Sequence, residues 1–280
     1  MDIKFTKMQA YGNDYVYIDA VNQKIENPNE LAKKLAERHY GIGSDGLVLI
    51  CPSEKCEFRM RMFNPDGSEG EMCGNALRSM SKYIYDYKLT QKEEFFIETL
   101  GGNQHIWLEM RDGKAVNITA DIGKPVFDAG KVPVNADSET FINKPMHIID
   151  RDFFATAISW GNPHCVIFVD NVSEFMVEKY GKAIENNTSV FPKKTNVTFA
   201  EIVSSSYIKI REWERGTGET IGCGTGCCSA VVAANILGKC SRKVSVEQIG
   251  GNLDVEWKEN DHVFMTGPSF VTFDGTFYIN

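Results

Sequence analysis

The chain repeats itself at an interval of about 150 residues, and this constrains its fold more than any other feature. Residues 11–19, Tyr-Gly-Asn-Asp-Tyr-Val-Tyr-Ile-Asp, are echoed by residues 160–170, Trp-Gly-Asn-Pro-His-Cys-Val-Ile-Phe-Val-Asp, which sets Asn13 against Asn162 at an offset of 149. Phe58–Met62 returns as Tyr207–Arg211 at the same offset. Gly-Glu-Met-Cys-Gly-Asn-Ala at 70–76 returns, altered, as Gly-Glu-Thr-Ile-Gly-Cys-Gly-Thr-Gly at 218–226, which sets Cys73 against Cys223 at an offset of 150. A weaker pair joins Glu30–Tyr40 to Glu174–Asn186. Matching order at a nearly constant offset is the mark of a duplicated structural unit. Two similar halves are therefore expected, one of residues 1–122 plus 269–280 and one of residues 123–268, with the tail after Gly267 returning to the first.

Alternating or apolar runs dominate, from Lys4–Met8, Tyr15–Asp19 and Leu47–Cys51 to Phe277–Ile279, and predict strands. Four helices are expected among them. Pro28 at a first-turn position opens one over Asn29–His39. Ser173 is placed to cap another that runs to about Asn186. A third starts at Cys73 or Gly74, with Leu77, Met80, Ile84 and Tyr87 on one stripe. The fourth follows Gly224; its body, residues 230–237, is apolar nearly all round and so should be buried, with Gly238 ending it.

Two thiols at the starts of matched helices point to chemistry. A helix N-terminus favours negative charge, so a cysteine there is placed to become a thiolate, and its ordinary value needs only modest lowering. Five glycines fall within residues 216–226, and such a turn feeding a helix forms an anion site. The phosphate-loop pattern is absent, so a carboxylate is the more natural anion beside a thiol. Cys73-Gly74-Asn75 supplies a second such site. Together these predict proton abstraction α to a carboxylate, one thiolate removing the proton and the opposite thiol returning one on the other face. No pyridoxal phosphate is needed in such a scheme.

Polar residues fit a small substrate with two charged ends. Asn13, Asn64, Asn162 and Asn196 stand at strand ends beside Gly or Pro, as turn formers or as ligands. Arg215 could clamp a carboxylate and Glu214 an amino group, or the two could be a surface ion pair. His164 could tune a thiol or satisfy a core hydrogen bond. Cys51, Cys165 and Cys240 read as small core residues. Cys223, Cys227 and Cys228 lack the second pair that a structural zinc site requires, so no metal is expected.

A formal charge of −8 argues against a nucleic-acid partner. No apolar run approaches membrane-spanning length and the N-terminus has no signal core, so a cytoplasmic enzyme is expected.

These residues resemble those of the diaminopimelate epimerases from end to end. The likeness rests on Phe-Thr-Lys-Met-Gln-Ala-Tyr-Gly-Asn-Asp (5–14), Gly-Ile-Gly-Ser-Asp-Gly (41–46), Phe-Asn-Pro-Asp-Gly-Ser-Glu (63–69), Met-Cys-Gly-Asn-Ala-Leu-Arg (72–78), Gly-Asn-Pro-His (161–164), Phe-Pro-Lys-Lys-Thr-Asn (191–196), Glu-Arg-Gly-Thr-Gly-Glu-Thr (214–220), Cys-Gly-Thr-Gly (223–226) and Thr-Gly-Pro (266–268). The resemblance implies an α/β (α+β) fold of two pseudosymmetric domains, each a mixed, strongly curved sheet wrapped around a central helix. It implies conversion of LL- to meso-diaminopimelate without a cofactor, on the way to lysine and peptidoglycan. By matching motif, Cys73 and Cys223 would be the acid–base pair. Asn13, Asn64, Asn162, Asn196 and Arg215 would hold the substrate. Gly74, Asn75, Gly224 and Thr225 would bind the reacting carboxylate and Glu214 the amino group. His164 and Glu214 would also set the thiol pKa values. The family forms homodimers, and Phe273 matches an interface aromatic. Ala10-Tyr11 stands where Gly-Leu is frequent, and Ser79 where many members carry cysteine. Relatives that racemise histidine share both cysteines, which leaves that substrate open, and a dithiol redox or metal-binding module remains as a reading from another class.

Overall fold

The computed structural model describes residues 2–278, so that Ile279, the end of the last expected strand, lies outside the described residues. The chain forms β1 (Asp2–Ala10), β2 (Asn13–Asp19), α1 (Pro28–Ala36), β3 (Leu47–Cys51), β4 (Phe58–Phe63), β5 (Glu69–Gly70), α2 (Gly74–Asp86), β6 (Glu94–Thr99), β7 (Gly102–Arg111), β8 (Lys114–Asp121) and β9 (Lys144–Ile148). It continues with β10 (Arg151–Ser159), β11 (Pro163–Phe168), α3 (Val177–Glu185), β12 (Asn196–Ser204), β13 (Tyr207–Glu214), β14 (Gly218–Thr220), α4 (Gly224–Ile236), β15 (Lys243–Gln248), β16 (Gly251–Trp257), β17 (Val263–Gly267) and β18 (Phe270–Tyr278). Contacts divide these elements into two compact units, Met1–Asp121 with Thr266–Asn280, and Ile122–Met265.

The first unit is a mixed sheet. β2 runs antiparallel to β1, and β3 is parallel to β2 after the α1 crossover. β4 is antiparallel to β3, and β6 is parallel to β4 after the α2 crossover. β7 and β8 continue as antiparallel neighbours, β5 pairs with the end of β4, and β18 pairs antiparallel with β1. The second unit repeats the plan. β10 and β11 are antiparallel, β12 is parallel to β11 after α3, and β13 is antiparallel to β12. β15 is parallel to β13 after α4, with β16 antiparallel beyond it and β14 on the end of β13. Met62 pairs with Gly70 where Glu212 pairs with Thr220, so the repeat is held to single residues at an offset of 150.

Each sheet packs one helix on each face. Period-two alternation decides which side chain meets which helix. In unit 1, Val16, Ile18, Leu47, Leu49 and Phe63 cluster with Leu31, Ala32 and Leu35 of α1. The opposite face meets α2, where the Tyr17 hydroxyl donates to the Ala76 carbonyl at 3.2 Å. In unit 2, Cys165, Ile167, Val197 and Phe199 cluster with Val177, Tyr180 and Ile184 of α3. α4 touches β10, β11, β12, β13, β15 and β16, and residues 226–234 are buried without a break. That explains its lack of a polar stripe: a helix enclosed by strands has no solvent face to serve.

Several expectations need correction. α3 begins at Val177 with Met176 at its N-cap, not at Ser173, because Asn171 takes the local role and accepts from the Ser173 amide at 3.0 Å. α1 ends at Ala36, where extended Glu37 breaks the helix and its carboxylate takes the amides of His39 and Tyr40. Tyr87 lies past the end of α2 and is exposed; it stacks on Tyr83 rather than joining the buried stripe. Cys51 and Cys240 are only partly buried, while Cys165 is fully so. β5, β14 and β9 were not foreseen.

Gly181 on α3 lies against the Trp213 ring, and a Cβ there would sit 2.6 Å from Trp213 Cγ. Gly181→Ala is expected to destabilise the protein by about 1–3 kcal/mol through overpacking. Urea denaturation followed by tryptophan fluorescence checks this, and unchanged stability would contradict the packing described.

Candidate active site

Both cysteines are N-cap residues. Cys73 (φ −132°, ψ 122°) precedes α2 and Cys223 (φ −128°, ψ 107°) precedes α4, each with extended backbone, and each helix runs thirteen residues. The first i→i−4 bonds run from Leu77 N to the Cys73 carbonyl at 2.8 Å and from Cys227 N to the Cys223 carbonyl at 3.0 Å. Amides of Gly74, Asn75, Gly224 and Thr225 precede those bonds and are therefore presented at the helix start. Neither first turn contains an acidic residue, so neither helix neutralises its own positive end. Thiolate and carboxylate are the charges such an end stabilises.

In unit 1 the Cys73 thiol donates to Asn13 Oδ1 at 3.4 Å, and Asn13 Nδ2 donates to Asp45 Oδ2 at 2.7 Å. Asp45 also takes the Asp14 amide at 3.1 Å, and Asp14 pairs with Lys7 at 2.5 Å, so Asn13 is the end of a polar chain. A two-residue turn positions it. Tyr11 (φ 54°) and Gly12 (φ 77°) both take the left-handed conformation of a type I′ hairpin. A left-handed tyrosine is strained, and buried Tyr11 is held by the Arg78 guanidinium, 5.4 Å from its ring centroid. Arg78 is itself fully buried and donates to Asn75 Oδ1 at 2.6 Å and to the Gly74 carbonyl at 3.3 Å. It thus fixes the first turn of α2 from beneath. Asn64 lies in the turn after β4 and donates to Ser68 Oγ at 3.0 Å. Tyr15 faces this site from β2, and burial, with the Cys73 sulfur next, pushes its phenol well above the ordinary range.

Unit 2 gathers more of the expected residues. His164 Nε2 and Thr225 Oγ1 are 2.9 Å apart, and Thr225 Oγ1 is 3.6 Å from the Cys223 sulfur. Asn162 Nδ2 donates to Thr225 Oγ1 at 3.5 Å, and Asn196 Nδ2 reaches His164 Nε2 at 3.5 Å. Asn196 Oδ1 takes the Arg215 amide at 2.8 Å, and the Arg215 guanidinium donates to the Lys193 carbonyl at 3.1 Å. Glu214 Oε1 accepts from Thr220 at 2.5 Å. Trp213 is anchored from the other face, where its indole N–H and the Gly216 amide donate to Glu185. Gln248 Oε1 takes the Cys223 amide at 2.9 Å and the Cys227 thiol at 3.4 Å.

The expected modest lowering of a thiol does not hold at Cys223. Burial pushes this thiol well above its ordinary value, and the Glu214 and Glu212 carboxylates push in the same direction. The Thr225 hydroxyl and Gly226 amide act oppositely without prevailing. Desolvation of the charged form is the largest cause here.

Sequence reading overlooked Glu212. It is 2 % exposed on β13, and its Oε1 lies 3.3 Å from His164 Nδ1. His164, Glu212 and Cys223 bring a ring nitrogen, a carboxylate oxygen and a sulfur within 4.8 Å of one another, a closer grouping than Cys223 with Cys227 and Cys228 was expected to give. The signal for Glu212 was available: it shares strand parity with buried Ile208 and Ile210. Phe273 lies 46 % exposed on β18, its ring edge-on to Phe5 at 5.8 Å.

The architecture recurs in other solved structures. A Bacillus anthracis phenazine biosynthesis protein of the PhzF family matches with a TM-score of 0.74 at 18% identity, each chain covered in full. A hydroxyproline epimerase from Agrobacterium vitis matches with a TM-score of 0.73 at 11% identity, covering 98% of this chain and 92% of that one. A family model described as diaminopimelate epimerase matches residues 5–127 and 156–271. The diaminopimelate epimerase of Acetivibrio thermocellus is 47% identical over 279 residues, covering 99% of both chains. That of Methanococcus maripaludis is 48% identical over 274 residues, covering 98% of this chain and 99% of its own. The chain belongs to the diaminopimelate epimerase family.

Cys73 is half-buried and Cys223 is 7 % exposed with its thiol pushed up. Iodoacetamide at pH 8 is therefore expected to alkylate Cys73 at least about tenfold faster than Cys223, since only the thiolate reacts. Peptide mass spectrometry checks the order, and faster reaction at Cys223 would contradict it.

Proposed function

We propose that this enzyme interconverts LL- and meso-2,6-diaminopimelate by two-base proton transfer between Cys73 and Cys223, without a cofactor. Family membership supports the substrate. The observation that carries the mechanism is the matched pair of N-cap cysteines, each before a helix whose own first turn carries no acidic side chain. In this reading one sulfur, as thiolate, removes the α-proton while the other, as thiol, delivers a proton to the opposite face. The electron pair left on the α-carbon spreads into the carboxylate, whose growing charge meets the amides of Gly74, Asn75, Gly224 and Thr225. Asn13, Asn64, Asn162, Asn196 and Arg215 hold the substrate, its distal amino-acid end included, and Glu214 takes the amino group. His164 and Glu214 tune the thiols. A second amino-acid end gives these groups a use that histidine would not, which favours diaminopimelate.

The same reading places the enzyme in the cytoplasm, feeding lysine and peptidoglycan precursors. Among the described residues no helix is long and apolar enough to cross a membrane. We further propose a homodimer formed through β18, which leaves Phe270, Val271, Phe273 and Tyr278 exposed. An apolar strand surface of this kind is what a self-association face covers.

Cys73→Ser and Cys223→Ser are each expected to lower kcat by at least about 10³-fold, since a hydroxyl is far too weak an acid to replace a thiol as base. Chiral chromatography of LL-diaminopimelate and L-histidine reactions reads both chemistry and substrate; near-normal turnover in both variants would end the two-thiol reading. The profile of kcat/KM against pH is expected to be bell-shaped. It rises as one thiol of the pair deprotonates and falls once both have, and because Cys223 is pushed up, the falling limb lies on the alkaline side. A profile flat from neutral into alkaline pH would contradict this.

A further inference from the structure

Glu212 stands at a place built for a hydrophobe. The matching position in unit 1 is Met62, buried on β4 at the same pairing with the strand that precedes the helix. Neither Glu212 oxygen has a hydrogen bond, and neither does His164 Nδ1, although Oε1 and Nδ1 are 3.3 Å apart. A small rotation of either group makes that bond. The fold also makes room for the carboxylate. A Cβ at Gly226 would sit 2.5 Å from Glu212 Oε2, whereas the matching helix residue in unit 1 is Ala76. The aromatic counterpart of His164 is Tyr15. Three linked positions thus depart together from the unit 1 pattern: Tyr, Met and Ala become His, Glu and Gly. Burying a carboxylate is costly unless it meets a partner, and the partner within reach is His164.

We propose that Glu212 is a positioning residue for catalysis. It takes the Nδ1 proton of His164 as a hydrogen bond, leaving Nε2 to accept from the Thr225 hydroxyl, which carries protons between His164 and the Cys223 sulfur. The distances form a chain: 3.6 Å from Cys223 Sγ to Thr225 Oγ1, 2.9 Å from there to His164 Nε2, and 3.3 Å from Nδ1 to Glu212. The Asn196 amide at 3.5 Å from Nε2 fits an acceptor at that nitrogen. Along this chain Cys223 gives its proton to Thr225 Oγ1 while Thr225 gives its own to Nε2. The S–H electron pair stays on sulfur, Thr225 is unchanged, and the imidazolium faces Glu212. No net charge is created, so a buried thiolate can form where burial alone opposes it. Other charged or titratable groups around His164 and Cys223 are Glu214 on β13, Cys165 on β11 and Cys227 on α4; Asn196 on β12 and Gln248 on β15 do not titrate. The assignment deepens the two-thiol reading and rests on Cys223 being one of its thiols.

The test is the pH dependence of iodoacetamide alkylation at Cys223, mapped by mass spectrometry in substrate-free enzyme, with Cys73 as internal control. Glu212→Gln keeps the shape, and Glu212→Met copies the residue that unit 1 carries at this position. In both, the Cys223 midpoint is expected to move up by about one pH unit or more, a tenfold loss of thiolate, because losing the imidazolium beside the thiolate outweighs losing the direct repulsion from Glu212, while the Cys73 midpoint stays. kcat should fall about 10–100-fold with KM within about twofold, as when the partner of a working histidine is removed. In a His164→Asn background the Glu212 substitutions should add nothing. The opposite sign discriminates, because a bystander carboxylate only repels the thiolate and its removal would move the Cys223 midpoint down. A downward or absent shift, or an equal shift in the His164→Asn background, overturns the proposal. Alkylation reads the thiol alone, so a mistaken substrate would leave this result standing, and a mistaken relay would leave the substrate standing.

Discussion

A cysteine at a helix N-cap is a poor cap, and that deficiency organises the molecule. Ser, Asp or Asn at residues 73 and 223 would turn an oxygen back onto the first-turn amides and satisfy them. Neither Cys73 nor Cys223 makes a side-chain capping bond, and neither first turn carries an acid. Each unit therefore keeps a buried, positively polarised backbone end beside a sulfur. The helices can sustain this because tertiary packing holds them: α4 is wrapped by six strands, and α2 is fixed beneath its first turn by the fully buried Arg78. Stability supplied by the sheet is what allows the helix starts to do without caps.

The two starts are alike in backbone and different in surroundings. Unit 1 places Cys73 half-exposed beside Asn13 and Tyr15, whereas unit 2 buries Cys223 among His164, Thr225, Glu212 and Glu214. The repeated plan supplies the frame, and different residues at a few inward positions give each thiol its own surroundings. In the proposed two-thiol reading this asymmetry has a use, since the pair would hold one proton between them and each sulfur would act in turn as acid and as base.

Much of this was legible in the chain. The constant offset pointed to two similar halves because strand pairing fixes loop and element lengths together; Asn13 opens β2 and Asn162 immediately precedes β11. Residues 230–234 announced an enclosed helix because no solvent-facing stripe interrupts them. Short strands such as β5 and β14 were hidden, being two and three residues long and stabilised only by pairing with β4 and β13. Ser173 misled because capping ability is local, and Asn171 captured the turn first. Glu212 was missed because a glutamate in an alternating strand reads as a solvent residue unless its parity with Ile208 and Ile210 is followed. Burial at Cys223 could not be read from a motif at all; it is a property of the strands that close over α4.

The central claim is that two different sulfurs serve the two faces of one carbon. The most direct measurement is the placement of deuterium during the first few per cent of reaction in heavy water, read by mass spectrometry of the separated stereoisomers. The account predicts deuterium at the α-carbon of nearly every product molecule and almost none in the remaining substrate, because the group that returns the hydron has exchanged with solvent and is not the group that removed the proton. Equal labelling of product and recovered substrate would mean a single base working both faces, and would contradict it.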